Sequence, residues 1–161
     1  MNHSFYTLAY EAMRDECRRI CAFTDALDKS PIEKKQKIAE YKCAKYRYAV
    51  VSNIQARLMH SYRLRERLCE THYLISDVEQ ALLARADLVE QYECAPKDKQ
   101  PEHGLYLGFL AFTDFLIAEH EKRFSMANDW ERVELEERLA GYRFARAALV
   151  AAWEKRGDAD V

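Results

Sequence analysis

Mostly apolar residues recur at intervals of three and four along the beginning of the chain, which is the spacing of a helix with one buried face. They are Phe5, Leu8, Ala9, Ala12, Cys17, Ile20, Thr24 and Leu27. Ser4 stands where its side chain can accept a hydrogen bond from an amide of the first turn. The pattern therefore predicts a first helix over residues 4–27.

A second helical pattern begins at Ser30 and continues for about ten turns. Ser30, Pro31 and Glu33 are the residue types of a capping box with Pro at the first helical position. No Gly and no further Pro interrupt the chain before residue 69. The sequence predicts one long helix over about 31–69 and a kink or break near 70–76. Whether residues 31–92 form one helix or two stays open.

The second half of the chain has the same helical character, interrupted by one loop. Ser76 and Glu79 offer another capping box, which predicts a helix to about residue 92. Residues 93–104 concentrate two Pro, one Gly and several charges, which is typical of a loop and is long enough for a crossover. Residues 105–125 are apolar on nearly every side as far as 116. That helix should lie at the centre of the bundle or at an oligomer interface.

The last helix is predicted over 128–155, with Asn128 or Ser125 as its N-cap and with Trp130 and Val133 in its buried stripe. Only four Gly and three Pro occur in 161 residues, of which 49% are hydrophobic and 32% charged. This composition favours an all-α single domain over residues 1–161, a bundle of four to five helices. Both Trp should be buried, and residues 157–161 should form a frayed tail.

Charge is distributed unevenly along this chain. Residues 29–67 contain eleven Lys or Arg and three Glu, a net charge of +8, whereas the whole chain has a net charge of −2. Many of the basic residues share one broad face of the long helix, and several aromatic residues lie among them. Such a face can bind successive phosphates of a nucleic-acid backbone, and the aromatic rings can stack on unpaired bases. The predicted nucleic-acid contacts are Lys34, Lys35, Lys42, Lys45, Tyr48, His60, Tyr62, Arg63 and Arg67.

Two other interpretations of the basic face remain open. The face can be solvated, with Lys stems and Tyr rings covering the edges of the core. It can also dock on the acidic surface of the last helix, either within the same chain or in a second copy. A homodimer or a separate acidic protein partner is compatible with this second interpretation.

Signatures of catalysis and of metal binding are mostly missing from the sequence. The Gly residues are isolated, and neither Cys-x-x-Cys nor His-Glu-x-x-His occurs. We therefore expect no enzyme activity, no cofactor and no metal. The five Cys do not have the spacing of a disulfide framework, and the N-terminal residues do not resemble a secretory signal. Both observations predict reduced thiols in the cytoplasm. The longest apolar run, residues 105–118, is too short to cross a membrane.

One short segment nevertheless has the residue types of a catalytic motif. Arg67 and His72 have the spacing Arg-x4-6-His. This segment resembles the motif of the helical ribonuclease domains called HEPN, although it covers only six of 161 residues. The resemblance implies a dimer in which Arg67 polarises a phosphate and His72 helps to transfer a proton. The alternative is that His72 packs near a helix end.

Three functions follow, in order of preference. The first is a non-enzymatic helical module that binds nucleic-acid backbone, as a small subunit of a larger ribonucleoprotein would. The second is a protein-interaction module, such as a phage- or plasmid-type inhibitor or adaptor of a macromolecular complex, which uses its charged faces. The third is a HEPN-like ribonuclease.

Overall fold

Six α-helices account for most of the residues that a computed structural model describes. These residues are 4–68 and 75–157, and the side chains of 64–68 are outside the description. The helices are α1 Phe5–Asp28, α2 Lys34–Leu68, α3 Ser76–Leu83, α4 Ala86–Cys94, α5 Gln100–Met126 and α6 Asp129–Lys155. The all-α class is confirmed, and this part of the chain contains no strand. The predicted kink near 70–76 falls mainly on residues outside the description, as does most of the predicted frayed tail.

Two of the predicted helix starts are confirmed by their hydrogen bonds. Ser4 Oγ accepts from the backbone N–H of Thr7 at 3.2 Å and caps α1. Asn128 and Glu131 form a capping box at the start of α6, where Glu131 N donates to Asn128 Oδ1 at 3.0 Å. Both signals are local, because the donor and acceptor are only three residues apart.

Two other helix starts differ from the prediction. α2 begins at Lys34, three residues after Pro31, because Ile32 forms a bend. α3 is preceded by Ile75 as N-cap, which has no side-chain hydrogen bond, and Ser76 is already helical. Neither predicted capping box therefore forms at its expected position.

The predicted helix over 76–92 consists of two helices, which is why the bundle has more helices than the four to five expected. The backbone is extended at Arg85, where φ is −115° and ψ is 90°. The Arg85 guanidinium forms ion pairs with Asp87 at 2.9 Å and with Asp114 of α5 at 3.4 Å. Because the chain changes direction there, Leu82 of α3 and Leu88 of α4 can both be buried.

Helix α5 occupies the centre of the bundle for the first half of its length. It begins at Gln100, five residues earlier than predicted, and the connection before it is correspondingly shorter, residues 95–99. Pro101 is tolerated in the first turn, where a missing N–H loses no helical partner. Residues 104–113 are buried except for Leu110, and α5 packs on α6, α3 and α4. The predicted central position is confirmed for this half.

Helices α2 and α6 lie side by side and run in the same direction. Gly141 of α6 makes the close approach possible, because a Cβ at this position would be 3.0 Å from Val50 Cβ and 3.3 Å from the carbonyl oxygen of Arg47. Helix α1 packs on both α2 and α6. This arrangement places the α1–α2 connection and the α5–α6 corner at the same end of the bundle.

The two Trp have opposite environments. Trp153 is half-buried, and its ring stacks on Tyr106 with 4.5 Å between ring centroids. Trp130, predicted to be buried, is 89% exposed, and Val133 is 50% exposed. Both predictions were wrong because none of the described residues over 121–133 is buried, so this corner extends beyond the other helices. Helical periodicity does not show where the neighbouring helices end.

Candidate nucleic-acid interface

Five of the predicted cationic residues lie along the solvent-facing side of α2, and all five are exposed. This basic face consists of Lys34, Lys35, Lys42, Lys45 and Arg63. From the first to the last, it extends for about 44 Å at the rise of an α-helix. The opposite side of α2 is buried in the core. This burial sets the orientation of the helix and therefore determines which cations face the solvent.

The basic face has few acidic neighbours in its own helix, where Glu40 and Glu66 are the two carboxylates, and it makes no ion pair among the described residues. No Asp or Glu occurs between residues 41 and 63. Within residues 4–63 and 75–157, no carboxylate lies within 4.0 Å of any of the five cations. The alternative in which this face docks on the last helix of the same chain is therefore not observed for these five residues, and docking on a second copy stays open.

Two other cations of α2 are turned toward the bundle and are paired there. Arg47 Nε lies 2.8 Å from Glu137 Oε2 of α6. Arg57 forms an ion pair with Asp77, and its guanidinium lies 5.2 Å from the centre of the Phe112 ring. The carboxylates that face α2 thus neutralise its inner cations and leave the outer ones to the solvent.

The aromatic residues of α2 also divide into those that pack against other helices and those that are exposed. Tyr62, a predicted contact, is half-buried and stacks on Tyr6 of α1 with 3.9 Å between ring centroids. Tyr46 lies beneath the Arg138 guanidinium of α6, 5.5 Å from it. Tyr41 and Tyr48 are 51% and 40% exposed. Of the described tyrosines of α2, these two present the most ring surface to a ligand.

The remaining predicted contacts lie toward the C-terminal end of α2. His60 is exposed and points to the same side as the basic face. Arg67 belongs to α2, but its side chain lies outside the described part of the chain. His72 also lies outside it. The Arg67–His72 pair of the HEPN-like motif therefore stays a prediction.

A groove between α1 and α2 adjoins the basic face, and it was not predicted from the sequence. Ile20, Cys21 and Thr24 form its α1 side. Tyr41, Ala44, Lys45 and Tyr48 form its α2 side, and the groove encloses about 180 Å³. The spacing of these α2 residues, three to four apart, was visible in the sequence. The contribution of α1 was not, because it depends on how the two helices pack.

The free thiols of the described residues differ in burial. Burial, together with Cys21 and Glu16, raises the pKa of Cys17 to about 11, so its thiol is protonated at neutral pH. Cys21 and Cys94 are exposed. In the described part of the chain, no three His, Cys, Asp or Glu side chains are grouped closely enough to hold a metal ion.

Comparison with known proteins gives no relative for this chain. No protein-family model, no curated protein and no solved structure matches it. Among residues 4–68 and 75–157, no helix is both long enough and apolar enough to span a bilayer.

Proposed function

We propose that this protein binds the phosphate backbone of nucleic acid through the basic face of α2, without catalysing a reaction. The observation that supports the proposal is the set of five exposed cations, which extends for about 44 Å and has no ion pair within the described residues. Each phosphate that such a cation neutralises releases a condensed counterion, which favours binding. A module of this kind suits a small subunit of a larger ribonucleoprotein.

The composition of the basic face favours binding that tolerates many sequences. Four of the five cations are Lys, whose ammonium is a compact charge on a flexible stem. The planar fork of Arg suits bidentate recognition, whereas Lys binds phosphate as a point charge. Contacts to phosphate position a protein on its ligand but carry no sequence information.

Fluorescence anisotropy with labelled single-stranded RNA and duplex DNA at two salt concentrations tests the proposal. We expect binding at low salt that weakens steeply as the salt concentration rises, with little difference between unrelated sequences. Absence of binding to either probe at low salt would refute the proposal.

A second candidate function is docking to another protein, and the α5–α6 corner favours it. Trp130 and Met126 are 89% and 74% exposed, and Val133 adds a third exposed apolar side chain. Trp is enriched at the centres of protein interfaces, where it contributes much of the binding energy. Charged residues of both signs, among them Glu131 and Arg132, are exposed around these side chains, so the partner surface would be apolar with a rim of mixed charge.

Affinity purification with the wild-type chain and a Trp130→Ser, Met126→Ser variant tests this second candidate. We expect a partner that is retained by the wild type and lost from the variant. Phe23→Ser is a matched control, because Phe23 is an exposed aromatic residue that belongs to α1 and not to the α5–α6 corner. A partner retained equally by all three proteins would exclude the corner as its docking site.

A further inference from the structure

The groove between α1 and α2 has the dimensions of a site for one flat ring. Its volume is about 180 Å³. An enclosed cavity of about 150 Å³ admits a benzene ring, so the groove has room for one aromatic ring. Ala44, which is fully buried, provides a small side chain at this position and leaves the space open.

The side chains around the groove suit an unpaired base. Tyr41 and Tyr48 are seven residues apart and therefore lie on one side of α2, about 10 Å apart along the helix axis. Stacking on aromatic side chains is the usual way in which proteins hold the bases of single strands, since every base has a π face. Ile20 and Thr24 supply the opposite wall from α1.

The charge beside the groove suits the backbone that accompanies a base. Lys45 lines the groove itself and also belongs to the basic face. Lys42 is exposed one turn earlier on the same helix, and the carboxylate-free stretch of α2 over residues 41–63 includes the whole α2 side of the groove. A polyanion that approaches the groove therefore meets no carboxylate from this stretch of α2.

We infer that the α1–α2 groove receives one unpaired base of a single-stranded nucleic acid, while Lys42 and Lys45 contact the adjoining phosphates. This inference rests on the proposed function and specifies its ligand as a single strand. A base in a duplex would first have to leave the stack, which requires a few kcal/mol. The groove should thus make the protein prefer single strands, although the basic face alone binds both forms.

Thiol protection tests the occupancy of the groove directly, because Cys21 lines it and the exposed Cys94 at the end of α4 is an internal control. The full chain is treated with N-ethylmaleimide, and modification is measured for each cysteine by peptide mapping. The probes are an oligothymidylate of about 16 nucleotides and a duplex of the same length. At about 90% occupancy by the single strand, we expect modification of Cys21 to slow about tenfold. Cys94 should react at the same rate throughout, and the duplex should leave Cys21 reactive.

A Tyr48→Ser variant gives a second, independent measurement. Loss of one stacking partner should weaken binding of the single strand about 5- to 160-fold and leave duplex affinity unchanged. Phe23→Ser, which removes an exposed aromatic residue outside the groove, should change neither affinity.

The outcomes separate this inference from the proposed function. Salt-dependent binding with Cys21 unprotected, or with equal protection by the duplex, would overturn the groove site and leave the basic face as the binding surface. Equal loss of affinity for both probes in Tyr48→Ser would overturn it as well. Absence of any binding would refute the proposed function itself.

Discussion

Neutralising three cations of the basic face should reduce the salt dependence of nucleic-acid binding by a predictable amount. For a single strand, each phosphate contact contributes about −0.7 to the slope of log K against log salt, so five contacts give about −3.5. Raising salt from about 50 to about 200 mM should weaken wild-type binding about 130-fold. Changing Lys42, Lys45 and Arg63 to Gln leaves two contacts and a slope of about −1.4, which corresponds to a loss of about 7-fold.

Anisotropy titrations at several salt concentrations measure both slopes. Folding stability should change by less than about 0.5 kcal/mol, because the three side chains are exposed and have no ion pair among the described residues. A matched control changes Lys97, Lys122 and Lys155 to Gln, which removes the same charge from exposed positions on other elements. A slope near −3.5 in the first variant, or an equal reduction in the control, would refute the assignment of these cations to phosphate contacts.

Three further predictions concern stability and thiol reactivity. Gly141→Ala should destabilise the fold by up to about 2 kcal/mol in urea denaturation, because a Cβ 3.0 Å from Val50 Cβ costs about 1–3 kcal/mol and the gain in helix propensity is about 1 kcal/mol. A variant more stable than the wild type would contradict the close packing of α2 on α6. Leu149→Ala, at a fully buried position, should lower the free energy of unfolding by about 2–5 kcal/mol, and a loss below about 1 kcal/mol would contradict its place in the core. Burial raises the pKa of Cys17 to about 11, so alkylation of its thiol should be slow at pH 8 and should accelerate as the pH approaches 11. Mass spectrometry measures the rate, and rapid alkylation of Cys17 at pH 8 would contradict the prediction.

Features that depend on neighbours in sequence were predicted in part, since the capping boxes expected at Ser30 and Ser76 do not form at those positions. The caps at Ser4 and Asn128 require only a donor and an acceptor three residues apart, and both form. The outward direction of the basic face follows from the buried stripe of the same helix, and its described cations are exposed. Periodicity within one helix is enough for this kind of prediction.

Features that depend on distant residues were predicted poorly. Trp130 fits the periodicity of apolar residues in α6, but the first turn of α6, which contains it, extends beyond the helices that could cover it. The break at Arg85 is accompanied by an ion pair with Asp114, which is 29 residues away. Tyr62 appeared available for stacking, and it stacks on Tyr6 of α1. In each case the deciding partner comes from another helix, and the sequence pattern does not specify helix–helix pairing.

The charge of α2 is separated across the helix, and this separation gives the protein an electric dipole. Arg47 and Arg57 are neutralised on the inner side, whereas the cations of the basic face are not. The net charge is −2, so at long range the molecule is repelled by a polyanion. Within a Debye length, about 8 Å at physiological salt, the local field dominates and turns the basic face toward the negative surface. At pH 7 and low salt, a sulfonated cation exchanger should retain this negatively charged protein, with every molecule held by the same side.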